Sequence, residues 1–300
     1  MTNVHKPRLR SFCSSGWPDY ELLDSGDGRK LERFGPYTLI RPEPLAVWPR
    51  ALPQQAWEEA HAEFFMHGQG EGGHWAFYRP LESPWTMRYK GLRFQVQITG
   101  SRHLGVFPEH AVQWDWIMAQ VRRAGRPLRV LTLFSYTGLA TLAAARAGAQ
   151  VTHVDAARSA VEAARQNQTL SGLDGCPIRW IVDDALKFVR REARRGVRYD
   201  AIVLDPPRFG RGPKGEVWEF FHDMPVLCEA CRAVLSEQPQ FILLTAYAKR
   251  ASTPELRRWI AELMAGSEGD LVVGQLVTRP TGGGHALPHS LTVRWSAWRR

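Results

Sequence analysis

The chain has 300 residues, enough for one large or two modest domains around a sizeable core, and its 44% hydrophobic content is that of an ordinary globular protein. Its 39 Lys and Arg outnumber 30 Asp and Glu, and the resulting formal charge of +9 points to a polyanionic partner. No apolar run approaches the roughly 18–20 residues that cross a bilayer, the basic start lacks the apolar stretch of a secretory signal, and four unevenly spaced cysteines make no disulfide scaffold, so the expected setting is cytoplasmic and away from membranes.

In chain order, residues 1–18 read as a loose arm. Residues 20–50 mix short apolar stretches with Gly and Pro turns, the texture of small antiparallel strands. A short helix is expected at 54–67. Strand patterns return over 73–99 and end in the alternation Leu92-Arg-Phe-Gln-Val-Gln-Ile98. Residues 1–104 are thus expected to form a small β-rich accessory region. Residues 105–300 read as an α/β domain opened by an amphipathic helix at 109–123. Strands follow at 128–134, 150–154, 178–182, 199–204 and 240–245, with a last pair near 270–277 and 290–296. Helices are expected at 138–147, 157–171, 184–195, 216–235 and 253–265. Such alternation implies a parallel, Rossmann-like sheet with helices on both faces. The last pair, joined by Pro280-Thr-Gly-Gly-Gly284, reads as a hairpin that adds an antiparallel strand at one edge.

Ligands of such sheets sit outside the carboxyl ends of the strands, so the turns after each strand carry the functional information. The first is Phe134-Ser-Tyr-Thr-Gly138. It holds one glycine where a pyrophosphate needs several, which disfavours dinucleotides and leaves room for a nucleoside with an amino-acid tail. After the second strand comes Asp155, placed to accept from ribose hydroxyls or to cap the next helix. After the third comes Val182-Asp-Asp-Ala-Leu186. Here Asp184, with Asp183 as the spare, could accept from an adenine amino group beside Ala185 and Leu186, helix capping being the rival role. The fourth turn, Asp205-Pro-Pro-Arg-Phe209, sets a carboxylate beside rigid carbonyls and an aromatic ring, a combination suited to a planar amino-bearing base. Cys228 and Cys231 form a C-x-x-C inside an apolar helical pattern and have no second ligand pair nearby. They read as buried thiols, and no metal is expected.

The run Thr132-Leu-Phe-Ser-Tyr-Thr-Gly138 with Val154-Asp155, Asn167, Asp184 and Asp205-Pro-Pro-Arg-Phe209 resembles class I S-adenosylmethionine-dependent methyltransferases. More narrowly, it is similar to the bacterial ribosomal-RNA large-subunit enzymes of the cytosine-5 and guanine-N7 type. The resemblance covers roughly residues 100–297, including Leu104-Gly-Val-Phe-Pro-Glu-His110, where Glu109 stands in a shifted place and no Arg follows. It implies a seven-stranded sheet and S-adenosylmethionine as cofactor, with Phe134, Ser135, Tyr136, Thr137 and Gly138 near its methionine end. Asp155 and Ala156 would lie at its ribose and Asp184 and Ala185 at its adenine. Asp205, with Pro206, Pro207 and Phe209, would stand at the transferred methyl. Methylating cytosine C5 needs a thiolate to attack C6, yet neither Asp205-Pro-Pro-Arg208 nor Leu244-Thr-Ala-Tyr-Ala-Lys249 holds a cysteine. Transfer to a nitrogen of RNA is therefore expected. A small-molecule or protein substrate, or a silent RNA-binding relative, is the alternative. Arg190, Arg191, Arg194, Arg195 and Arg198 cluster on the opposite rim, whereas Arg208, Arg211, Lys249 and Arg250 sit nearer the mouth.

Overall fold

In the computed structural model, which describes residues 9–14, 16–68, 72–248 and 250–298, strands and helices alternate through the second half of the chain as the sequence predicts. The chain begins with β1 (Arg10–Phe12), β2 (Tyr20–Gly26), β3 (Arg29–Phe34), β4 (Tyr37–Pro42), α1 (Gln54–Glu58), β5 (Ala62–Met66), β6 (Gly73–Phe77), β7 (Trp85–Tyr89) and β8 (Leu92–Val96). A single 3-10 turn at Pro108–His110 leads into α2 (Ala111–Arg123), β9 (Arg129–Leu133), α3 (Leu139–Arg146), β10 (Gln150–Asp155), α4 (Arg158–Leu170), β11 (Ile178–Val182), α5 (Ala185–Arg194) and β12 (Ala201–Leu204). A hairpin of β13 (Phe209–Arg211) and β14 (Val217–Glu219) precedes α6 (Phe220–Arg232), β15 (Phe241–Ala246), α7 (Thr253–Leu263), β16 (Asp270–Thr278) and β17 (Leu287–Ser296).

The main sheet runs β1-β16-β17-β15-β12-β9-β10-β11. Toward one edge β17 is antiparallel to β15 and β16, and the other pairings are parallel. The central strands are apolar on both faces, and their side chains alternate between two cores. Leu131, Leu133, Ile202, Leu204, Ile242 and Leu244 enter the core under α5, α6 and α7. Val130, Ala201, Val203, Phe241 and Leu243 enter the core on the α2 and α3 side. Each fully buried Leu or Ile of this kind contributes about 1.5–3 kcal/mol.

Two expectations are corrected here. The sheet has an eighth strand, because residues 10–12 of the stretch read as a loose arm pair with β16. Phe12 is buried beneath the Arg294 guanidinium, 4.0 Å from its ring centre, and lies where a side chain at Gly274 would collide with it. The predicted helix at 54–67 stops at Glu58, since Ala62–Met66 forms β5 between β4 and β6 and buries Phe64. Sheet pairing outweighed local helical spacing there.

The five-stranded sheet of β2–β6 and the hairpin β7–β8 precede α2 in the chain. Their core is shared with the main sheet: Phe34, Leu39, Phe94 and Val96 join Trp114, Leu139 and Leu142 in one apolar cluster. Polar contacts join β8 to α4 as well. The Gln95 N–H donates to Asn167 Oδ1 (2.9 Å) and the Arg93 N–H to Ser171 Oγ (2.9 Å). The first hundred residues therefore form one wall of whatever lies above the sheet.

Candidate active site

The turns that follow β9, β10, β11, β12 and β15 converge on one cavity of about 1140 Å³ at the carboxyl edge of the sheet. Phe134, Tyr136, Asp155, Ala156, Asp183, Asp184, Ala185, Asp205, Pro206 and Pro207 line it, as strand direction dictates. The far wall comes from the first half of the chain and from the Pro108–His110 turn, through Lys30, Arg41, Glu43, Phe107 and Glu109. Arg41 is no free cation, because its guanidinium donates to both Glu32 carboxylate oxygens (2.7 and 2.8 Å).

The first turn is strained. Phe134 (φ +56°), Tyr136 (φ +47°) and Gly138 (φ +85°) all adopt left-handed backbone, which two of them, carrying bulky side chains, reach only at a cost of about 1–3 kcal/mol each. The surroundings hold it in place. The Tyr136 N–H donates to Asp155 Oδ2 (2.7 Å), the Thr137 hydroxyl to the Gly105 carbonyl (2.6 Å) and the Asn167 amide to the Thr137 carbonyl (3.0 Å). Asn167 is buried and joins this turn to β8. Its part in the motif is therefore support of the turn. Ser135 and Thr137 face a smaller adjoining pocket, and Ser135 Oγ is buried without a hydrogen-bond partner. A Cβ on Gly138 would lie 2.8 Å from the Ala164 Cβ. Gly138→Ala is expected to lower stability by about 2 kcal/mol from backbone strain and overlap combined, read as a lower thermal midpoint.

At the second turn the Asp155 carboxylate faces the cavity and accepts from the Tyr136 and Ala157 N–H groups (2.7 and 2.9 Å). Burial pushes its pKa up, only partly opposed by the backbone N–H groups of Ala157, Tyr136 and Ala156. The helix-cap role does not describe it, since the N-cap of α4 is Ala157. At the third turn the two acids divide the work differently. Asp184 caps α5 by accepting from the Lys187 N–H (2.9 Å), while Asp183 pairs with Arg191 (2.6 Å). Both still line the cavity.

At the fourth turn Asp205 Oδ1 is shielded from solvent and has no hydrogen-bond partner among the described residues. Burial raises the Asp205 pKa to about 6; the charge of His110 works against this rise, and Glu109 and Asp155 add to it. The Pro207 carbonyl accepts from Trp218 Nε1 (2.8 Å). Phe209 departs from expectation. It is 59% exposed and does not line the cavity, because it sits on the outward face of the hairpin β13–β14. The ring beside the turn is instead Trp218, buried and packed 4.8 Å from Phe134, centre to centre.

Sequence reasoning also missed a polar chain behind Asp205. His110 Nε2 lies 3.7 Å from Asp205 Oδ2 and 2.8 Å from the Tyr247 hydroxyl, which donates to Glu109 Oε1 (2.8 Å). With the Tyr247 proton committed to Glu109, His110 Nε2 must be the donor to Tyr247. Burial opposes ionisation of Glu109, but the neighbouring His289, His110 and Lys30 outweigh it and bring the carboxyl down to about 2. Tyr247 follows β15 directly and was findable from the strand-end rule. The pairing of Glu109 with a residue 138 positions away was not.

None of the four cysteines lines the cavity. Cys228 and Cys231 are buried within α6, and burial pushes the Cys228 thiol up to about 12 and that of Cys231 well above its ordinary value. Cys176 precedes β11, at the opposite rim. In the arginine cluster of α5, Arg191 and Arg195 are held by Asp183 and Glu192. Lys249 lies outside the described residues, and Arg250 is exposed. Among the described residues no group of three His, Cys, Asp or Glu could hold a metal ion, and no helix is long and apolar enough to cross a membrane.

Comparison with known proteins gives a consistent result. The profile of an S-adenosylmethionine-dependent methyltransferase family matches residues 16–220. A solved SAM-dependent methyltransferase from Agrobacterium tumefaciens is 44% identical, with a TM-score of 0.92 over 96% of this chain and 94% of that one. Ribosomal RNA large subunit methyltransferase I of Tolumonas auensis is 32% identical over 194 residues, 61% of this chain and 45% of that protein. Its namesake in Klebsiella pneumoniae (strain 342) is 38% identical over 120 residues, 40% of this chain and 29% of that protein. The chain thus spans less than half the length of these curated relatives.

Proposed function

The chain belongs to the S-adenosylmethionine-dependent methyltransferases, and from that premise we propose that it methylates RNA, ribosomal RNA foremost, at a nitrogen. The observation that carries the nitrogen assignment is Asp205: a carboxylate with one shielded, unpartnered oxygen at the cavity, where the described walls offer no thiol. RNA is supported by the formal charge of +9 and by the ribosomal-RNA methyltransferases among the relatives. A cytoplasmic setting belongs to the same reading.

The crevice suits the cofactor. Asp155 is a buried carboxylate beside an open cavity, and its remaining lone pairs suit the two hydroxyls of a ribose. Ser135 Oγ is a second buried polar atom left without a partner. The turn Phe134-Ser-Tyr-Thr-Gly138 holds one glycine where close approach of a pyrophosphate needs several. When bound, S-adenosylmethionine supplies an electrophilic methyl carried on a sulfonium.

The residues of the chain then have separable tasks. Asp155 and the strained turn 134–138 bind and orient, and Ala156, Asp184 and Ala185 form the end of the site assigned to adenine. The Asp205 carboxylate accepts an N–H of the target base, which turns the nitrogen lone pair toward the methyl, and receives the proton that the methylated nitrogen sheds. Alignment supplies most of the rate, so a modest base suffices. A base within a duplex has to swing out to reach this depth.

Incubation with methyl-labelled cofactor against total RNA, protein and metabolite extracts tests the reading. Label in RNA, recovered as an N-methylated nucleoside after digestion, is the expected result. Label recovered as 5-methylcytosine overturns the nitrogen assignment, and label in protein or metabolites alone overturns RNA.

A further inference from the structure

The hairpin β13–β14 stands at the mouth of the cavity, and its two faces differ. Its register pairs Phe209 with Glu219, Gly210 with Trp218 and Arg211 with Val217. Cross-strand partners share a face and neighbours alternate, so Gly210 and Trp218 form the inward side and touch the cavity. Phe209, Glu219, Arg211 and Val217 form the other side; Phe209 and Val217 point away from the cavity, whereas Arg211, like Arg208 before the hairpin, also reaches its lining. Phe209 is 59% and Val217 71% exposed, an uncommon display of large apolar groups on a short hairpin.

The hairpin does not sag for want of partners. Trp218 Nε1 donates to the Pro207 carbonyl (2.8 Å), the Gly212 N–H to the Glu216 carbonyl (2.8 Å), and Glu216 pairs with Lys187. Around the exposed ring stand cations. The Arg208 guanidinium lies 5.1 Å from the Phe209 ring centre, and Arg208, Arg211 and Lys214 are all exposed. Among the described residues no ion pair engages these three. On the far wall, by contrast, Arg41 and Lys30 are neutralised by Glu32 and Glu43.

An aromatic face set among uncompensated cations matches a partner that carries planar bases on a phosphate backbone. We propose that this hairpin grips the single strand next to the target nucleotide, with outward Phe209 stacking on a flanking base, Arg208 and Arg211 holding phosphates at the cavity mouth and Lys214 holding one at the hairpin tip. The inference rests on the RNA reading above and adds where and how the strand is held. A paired duplex keeps its bases stacked inside and offers no ring to Phe209. A second copy of the chain meeting through the same face would bring the two sets of cations together.

The test uses the full chain and a fluorescein-labelled single-stranded RNA of about 12 nucleotides, followed by anisotropy. Phe209→Ala is expected to weaken binding at least about fivefold, with Phe209→Trp close to the unaltered protein. Arg211→Gln is expected to reduce the slope of log affinity against log salt by about 1. Calorimetry with S-adenosylhomocysteine should give the same affinity in both Phe209 variants, and Arg211→Gln should keep the thermal midpoint of the unaltered protein, which confirms that each is folded. If the unaltered chain binds the strand and Phe209→Ala binds it equally well, the hairpin assignment is overturned and the RNA reading stands. If the unaltered chain binds S-adenosylhomocysteine but no RNA, both fall together. Self-association in sedimentation that disappears in Phe209→Ala, with RNA affinity retained, assigns the face to a second copy and overturns the proposal.

Discussion

Asp205→Asn is expected to cut turnover about a hundredfold or more while leaving the affinity for S-adenosylmethionine within about twofold. The carboxamide keeps the size of the side chain but loses the charge that, in the proposed role, receives a proton from the target nitrogen. The same change should make the protein more stable at neutral pH. Burial raises the Asp205 pKa to about 6, so the folded chain holds this proton more tightly than the unfolded chain does. A raised carboxyl contributes its stability below the unfolded pKa, and that contribution is lost as pH rises from about 4 through about 6. At pH 7 the folded protein therefore carries an unfavourable charge, which asparagine removes. The full shift corresponds to nearly 3 kcal/mol, and the 28% exposure of the side chain trims it to about 1–2 kcal/mol. The thermal midpoint should rise by a few degrees at pH 7 and stay nearly unchanged at pH 4. Turnover of the unaltered enzyme should show an acid limb near pH 6 that the variant lacks. A variant that turns over normally removes Asp205 from the reacting centre, and one that loses stability at pH 7 removes the buried charge from the explanation.

The parts of the site legible in the sequence are those that strand direction fixes. The residues after each strand were readable because strand direction alone sends them to one edge: Phe134, Asp155, Asp184 and Asp205 meet at the cavity from four separate turns. The strands were readable too, since β9, β12 and β15 are short, nearly continuous apolar runs bounded by turn residues and buried on both faces. Two things were hidden. Val217–Glu219 reads as the start of a helix, yet it pairs with Phe209–Arg211, and the helix begins only where Glu219 caps it by accepting from the His222 N–H. That pairing is a tertiary choice and turns Phe209 away from the site. The chain from Glu109 through Tyr247 and His110 to Asp205 draws on three distant segments, and no local spacing announces it. Asp184 shows a third case, in which the helix-cap and cavity-lining readings both describe the same side chain.

For Asp155→Ala the expected loss is in binding rather than in turnover. The carboxylate does two jobs through different lone pairs. Toward the protein it accepts the N–H groups of Tyr136 and Ala157, and toward the cavity it has lone pairs left for the proposed ribose contact. Truncation is expected to remove the proposed ribose contact and weaken the cofactor by about 1–3 kcal/mol, roughly fivefold to 150-fold in Kd. It also strands two N–H groups and frees the left-handed backbone at Phe134 and Tyr136, which the Tyr136 bond helps to hold. Stability is pulled both ways, because the substitution also removes a buried carboxylate whose pKa burial has raised. The discriminating comparison is with Asp155→Asn. Its carbonyl oxygen can still accept one of the two N–H groups but has fewer lone pairs left for a diol. If the carboxylate serves the ribose, calorimetry with S-adenosylhomocysteine should place asparagine between aspartate and alanine. If it serves only to brace the turn, affinity should follow the thermal midpoint of each variant and recover wherever that midpoint recovers. An affinity unchanged in Asp155→Ala removes this residue from the cofactor altogether.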